Sequence, residues 1–245
     1  MDDSIPRIFR YAAEFYFNRL GLIVIFSIPF ILSILILVLV PAPTYQAIGG
    51  VFLRTGSLGD ISLLDVIIIT VGYALSVFMV ADTIVNINIV IRSKRTLTTI
   101  KHEVVQAVGS YATRIFYIYT LALLLTVILQ LITYENPLQS WIYSILSLAL
   151  SFLLFFVAPA VVIDNSNTPK AIRRSVAMSL RNPHLFLLWS FIGLFLVSLV
   201  KIAADLAFSN PFSTYFVLLV NSLLILPFLV VLQTQMYMEK YPLAR

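Results

Sequence analysis

The chain has 245 residues, of which 60% are hydrophobic and 11% charged, with a formal net charge of +5. A soluble domain carries roughly 25% charged residues to cover its surface, so the bilayer is the expected solvent. Cysteine is absent and only two histidines are present, which excludes disulfides, zinc–thiolate sites and iron–sulfur clusters. The same counts leave no basis for a histidine-rich metal or haem centre.

Six stretches are long enough to cross a hydrocarbon core of about 30 Å as helices, which takes ~20 apolar residues each. In chain order they are Leu20 to Val40, Ile61 to Ile91, Ile115 to Thr133, Trp141 to Ile163, Leu185 to Phe208, and Phe212 to Met238. The first is too long for a cleaved leader and ends in Val40-Pro41-Ala42-Pro43, a poor cleavage site, so it is expected to be retained. The second exceeds one span and is expected to tilt or to run past the membrane surface. Pro41 to Asp60 contains Gly and Pro and is expected to fold back onto the bundle. Tyr134-Glu135-Asn136-Pro137 and Ser209-Asn210-Pro211 are turn signals that make hairpins of spans three and four and of spans five and six.

Orientation follows from Lys and Arg. With the N-terminus in the cytoplasm, fourteen of the sixteen basic residues face inward, and only Arg54 and Lys201 face out. This predicts a multi-pass protein of the cell membrane with both termini cytoplasmic.

Short amphipathic segments precede the odd-numbered spans. In Thr168 to Arg181, Thr168 suits an N-cap and Pro169 the first helical position. Ile172, Val176 and Leu180 recur every four residues on one side. Lys170, Arg174 and Arg181 share another side, with Arg173 beside them. Such a basic amphipathic helix is suited to the membrane interface. The N-terminus is similar, with Pro6-Arg7 matching Pro169-Lys170, Phe9-Arg10 matching Ile172-Arg173, and Ala12 matching Ser175. Ile100-Lys101 and Val104 give a third, shorter match. The expected fold class is therefore an all-α polytopic membrane protein. It has six transmembrane helices and two or three interfacial helices, in three suggested repeats of 1–91, 92–163 and 164–245.

One stretch carries a family resemblance. Pro159, the linker Asp164 to Thr168, Ala171-Ile172-Arg173-Arg174-Ser175 and Leu180-Arg181-Asn182 stand in order before span five. The pattern resembles a broad group of polytopic prokaryotic proteins related to the membrane domain of glycerophosphoryl diester phosphodiesterases. Most of that group has no assigned function. The resemblance covers about thirty residues and implies an architecture and a membrane role. It does not imply a hydrolase, because the phosphodiesterase site of that family lies in a separate soluble domain.

Asp82 is the deepest ionisable candidate. It precedes the basic cluster at Arg92 by some nine helical residues, roughly 13 Å. Asn86 follows it on the same face, with Asn88 nearby. A charge at that depth costs on the order of 2.5–3.5 kcal/mol, so it is expected to face the bundle interior or a wet cavity. A polar site formed by Asp82, Asn86 and Asn221 is one reading, and bonding between neighbouring helices is the other. Lys201 and Asp205 are spaced to pair with each other, and Asp65 lies within reach of the same level. Pro29, Pro159 and Pro227 are expected to kink spans one, four and six.

Arg92, Lys94, Arg95, Lys170, Arg173 and Arg174 are candidate contacts for anionic lipid. Phosphate-binding Gly loops, zinc-protease helices, nucleophile elbows and nucleic-acid modules are all missing from the sequence. No cofactor and no catalytic residue is predicted. Of three functional classes, an intramembrane enzyme built from scattered residues is the least favoured, because no catalytic constellation is visible, and two others lead. One is an accessory or scaffold component of a membrane complex, with protein partners or further copies of the chain. The other is a transporter or lipid-handling protein using the Asp82 and Asn86 site.

Overall fold

The structure is a computed structural model that describes residues 4–39, 44–48, 51–55, 63–96, 108–133 and 136–240. Helix α1 (Ser4–Asn18) meets α2 (Leu20–Leu39) at a bend of 89°. A hairpin of β1 (Thr44–Ile48) and β2 (Val51–Thr55) follows, with Thr44 opposite Thr55 and Ile48 opposite Val51. Then come α3 (Leu63–Thr96) and, after one π turn at Val108–Ala112, α4 (Thr113–Ile132). The fourth span is split into α5 (Gln139–Leu153) and α6 (Val157–Val162). The amphipathic α7 (Thr168–Arg181) leads into α8 (Pro183–Ala207). The last span is α9 (Phe212–Val220), a π turn at Asn221–Ile225, and α10 (Leu226–Lys240).

This is an all-α polytopic membrane bundle. Five stretches are long and apolar enough to cross a bilayer: Ile67–Ser93, Gly109–Ile132, Gln139–Val162, Pro183–Ala207 and Phe212–Glu239. A sixth is reached when α1 and α2, bent by 89° at their junction, are taken together as one span. At 1.5 Å per residue the 34 residues of α3 extend about 51 Å, well beyond one hydrocarbon core. The loop after α2 does fold back, with β2 packing against α5 and β1 against α2.

Packing is uneven along the spans. From Val80 to Ser93, α3 is buried on nearly all sides, with only Asp82 and Arg92 half-exposed. It is enclosed by α2, α4, α6 and α10. Phe155 to Ile163 and most of Leu226 to Met238 are buried as well. These segments form a dense base. Toward the other end, Leu64, Ile68, Val71 and Leu75 of α3, Leu121 and Leu124 of α4, and Leu199 and Leu206 of α8 stay exposed.

The amphipathic helices share a register. When Pro6 is aligned with Pro169, the buried Ile8, Ala12, Phe15 and Tyr16 of α1 fall on the buried Ala171, Ser175, Met178 and Ser179 of α7. Leu20, which begins α2, then falls on Pro183, which begins α8. The contacts correspond too, since α1 packs on α10 and α7 packs on α5 and α6. The third expected amphipathic helix lies outside the described residues.

Two expectations need correction, the cap of α7 and the break at Pro29. Helix α7 begins at Thr168 and its cap is Asn167, in extended conformation, so Pro169 is one position further in than expected. The face that α7 buries against protein is the small and polar set Ala171, Ser175 and Ser179 with Met178, and Leu180 of the apolar stripe is left exposed. Small residues let helices approach closely where lipid, not water, is the competing solvent. Pro29 does not interrupt the first span, for α2 continues through it.

Candidate functional site

The break in the fourth span is where the motif residues converge. Pro159 has no N–H for the carbonyl of Phe155, four residues earlier. The chain opens at 154–156, which places Pro159 in the first turn of α6, where a missing N–H is tolerated. Side chains from two other helices satisfy what the break exposes. The Ser175 hydroxyl of α7 donates to the Leu153 carbonyl at 2.7 Å and accepts the Phe156 N–H at 3.0 Å. The Gln233 amide of α10 donates to the freed Phe155 carbonyl. Phe155 also meets Phe186 and Trp189 of α8 edge-on, at 5.2 Å in each case.

Beyond α6 the chain reverses through Asn165, whose φ of 47° is a conformation that Asn adopts more readily than most residues. This turn sets Asp164 beneath the base. Its carboxylate accepts from the Arg174 guanidinium at 2.8 Å and from the Tyr237 hydroxyl at 2.5 Å. Arg174 also donates to the Ser166 hydroxyl at 2.6 Å. From α3, Arg92 donates to the Val162 carbonyl at the end of α6, 2.9 Å away, and to the Tyr111 hydroxyl, 3.0 Å away. A cation on the last carbonyls of a helix is favourable. Nearby, the Thr234 hydroxyl donates to Asn88 Oδ1 at 2.7 Å, tying α10 to α3.

The last span has a parallel arrangement. Its π turn directly precedes Pro227, a common setting for such widened turns. The Tyr16 hydroxyl of α1 donates to the Leu224 carbonyl inside it, at 3.0 Å. In both spans an amphipathic helix thus supplies the donor at an irregular segment.

The candidate residues separate into three groups. Asp82 and Asn86 are brought together, with the Asn86 amide donating to Asp82 Oδ2 at 3.0 Å. Asp82 Oδ1 and Asn86 Oδ1 are buried without a donor. Asn221 sits in the π turn, also with a buried Oδ1 and no donor, and no hydrogen bond among the described residues joins it to Asp82 or Asn86. Of the proposed lipid contacts, the half-exposed Arg92 and Arg174 also bond protein, Arg92 the end of α6 and Arg174 the linker. The reversal at Asn165 carries the Asp164 carboxylate to Arg174. Lys170 and Arg173 are exposed on α7. The side chains of Lys94, Arg95 and Asp65 lie outside the described residues.

At the opposite end of α8, Lys201 pairs with Asp205 at 2.7 Å as expected, and Ser213 of α9 joins them by bonding the same carboxylate. Among the described residues no three His, Asp or Glu side chains gather closely enough to hold a metal ion.

Sequence reasoning did not single out Asp164, Tyr237 and Gln233 for what they do. The only available signal was a polar residue in an otherwise apolar run, as at Gln233-Thr234. Such residues mark intramembrane partners in general but do not name them.

These features define a polytopic α-helical membrane protein with internally bonded helix breaks. No family model, curated protein or solved structure matches the chain.

Proposed function

We propose that this chain is a non-enzymatic accessory or scaffold component of a membrane complex. It resides in the cell membrane with both termini in the cytoplasm. The reading is supported by the closure of the polar base. Asp164, Arg174, Tyr237, Ser175 and Gln233 satisfy each other and the backbone around one helix break, so their chemistry serves the fold. The outward apolar faces of α4 and α8 then meet lipid, protein partners or further copies of the chain. Extraction in mild detergent should recover the chain with stoichiometric partners or as a defined homo-oligomer. Recovery as a lone monodisperse chain would rule this out.

The topology rests on the distribution of basic residues. Because the chain has no cysteine, Ser209→Cys should react with an impermeant thiol reagent on intact cells, and Arg173→Cys only after permeabilisation. The reverse pattern would invert the orientation. The matching registers of α1 and α7 support three repeats of an amphipathic helix and a transmembrane hairpin, at 1–91, 92–163 and 164–245. They also fit the resemblance to the prokaryotic membrane-domain group.

A second reading has its own support. The buried oxygens Asp82 Oδ1 and Asn86 Oδ1 have no donor, and buried acceptors normally have one. A transporter or lipid-handling protein would place a proton, cation or polar head group there. Asp82→Asn should then abolish flux in reconstituted vesicles without lowering the melting temperature. A change in melting temperature alone would assign the pair to structure.

A further inference from the structure

Two buried acceptor oxygens on α3 have nothing to accept. Asp82 Oδ1 and Asn86 Oδ1 each lack a donor, and neither is open to solvent. Asn86 is only 6% exposed. The side chains lie one helical turn apart and share one bond, from Asn86 Nδ2 to Asp82 Oδ2 at 3.0 Å. That bond fixes the amide, because turning it over would set oxygen against oxygen. The two orphans are thus the second terminal atoms of planar groups whose first terminal atoms are already bonded to each other.

The surroundings supply neither a donor nor a counter-charge. The Thr83 hydroxyl donates to the Met79 carbonyl, and the Ser27 hydroxyl of α2 to the Ile23 carbonyl. Of the elements packed against α3, α2 and α6 carry no titratable or charged side chain. The π turn before α4 carries Tyr111, α4 carries Arg114, Tyr117 and Tyr119, and α10 carries Tyr237, Glu239 and Lys240. Tyr111 accepts from Arg92, Arg114 turns to Asn165 and Ser166, Tyr237 donates to Asp164, and Glu239 pairs with Arg7. None of them bonds Asp82, whose only hydrogen bond among the described residues is the one from Asn86. An uncompensated charge within a span is costly.

We propose that Asp82 and Asn86 form a proton-binding site. One proton on Asp82 Oδ1, donated to Asn86 Oδ1, completes a cyclic acid–amide pair. A single proton then satisfies both orphans and removes the charge. Oxygens with no accessible surface admit nothing larger unless the helix moves. Two oxygens also fall well short of the roughly six that a hard cation takes. Asp82 is the one half-exposed residue between Val80 and Ile91, which lets its proton exchange. This narrows the second reading above to protons and rests on it for flux, whereas the bound proton does not depend on it.

Infrared spectroscopy of the full-length chain in phosphatidylcholine vesicles at neutral pH tests this. One protonated-carboxyl band should shift when the aspartate carboxyl carbons are isotopically labelled, and shift again in heavy water as the proton exchanges. It should be absent in Asp82→Asn. That variant supplies a permanent N–H in place of the proton and should keep the melting temperature, so the lost band is not a lost fold. Asn86→Leu removes both hydrogen bonds to the carboxyl and should raise the frequency of the band. A pH-sensitive dye inside the vesicles then reports proton entry under a potassium diffusion potential. Entry should depend on Asp82 and persist when sodium is replaced by N-methylglucamine.

Absence of the band from the parent chain, or a band that survives Asp82→Asn, would overturn the proton site. A missing band together with an Asp82-dependent sodium flux would also overturn it, while keeping the second reading. A band that exchanges in heavy water without any flux would keep the proton site and overturn the second reading.

Discussion

The base of the bundle and its splayed half are built from similar residues and do opposite things with them. In the base, Ile84, Val85, Ile87, Ile89, Val90 and Ile91 of α3 are all buried, though they point around the whole helix. In the splayed half, Leu64, Ile67, Ile68, Val71 and Leu75 of the same helix are exposed. Apolar character therefore does not decide burial in this protein. What distinguishes the base is its irregular backbone: the break at 154–156 and the turn at Asn165. Unsatisfied backbone groups are costly in a membrane, so such segments persist only where protein encloses them and supplies partners. The helix breaks require the base, and the side chains that satisfy them bind α3, α7 and α10 to α6. Outside the base the described span helices are regular apart from the π turn at Asn221–Ile225, which Tyr16 bonds, and this leaves most of that surface available to lipid or protein.

Substitutions in the two halves test this contrast. The largest effect is expected for Asp164→Ala, which strands Arg174 and Tyr237. Asp164 is 8% exposed and Arg174 36%. The loss should be about 3 kcal/mol, the low end for breaking a buried pair, because Arg174 retains contact with solvent. Denaturant titration in detergent measures it, and a loss near zero would show that the linker is not part of the base. Gln233→Leu comes next. It leaves the Phe155 carbonyl without its side-chain donor at a position where Pro159 cannot replace it, for a cost of about 1–3 kcal/mol. Equal stability of this variant would mean that the break is satisfied in some other way. The smallest effect belongs to the splayed half, where Leu199→Ala, at a side chain 55% exposed, should change stability by no more than ~0.5 kcal/mol. If it instead reduces the yield of co-purifying partner, that face is the docking surface, and the contrast between the halves becomes functional as well as structural.

Much of this was legible beforehand. Span number and the positions of the hairpin turns follow from apolar run length and from Asn-Pro signals, because the bilayer requires a minimum helix length whatever the packing. The Lys201–Asp205 and Asp82–Asn86 pairs follow from i, i+4 geometry alone. Helix α7 is legible as amphipathic from its period, but the face it buries against protein, Ala171, Ser175 and Ser179, is not. In water the apolar face turns inward, whereas in lipid small residues do, and a periodic pattern does not say which solvent it meets.

The sequence by itself determined an all-α membrane protein with six spans and amphipathic helices leading into the first and fifth, because those features depend on local composition and the thickness of a bilayer. Only the tertiary structure decided which half of each span is buried. It alone brought Asp164 to Arg174 and Tyr237, and showed that Gln233 replaces the donor that Pro159 lacks. Those outcomes depend on contacts between residues as much as 78 positions apart, where a free carbonyl on one helix is matched by a donor on another, and no local pattern encodes that pairing.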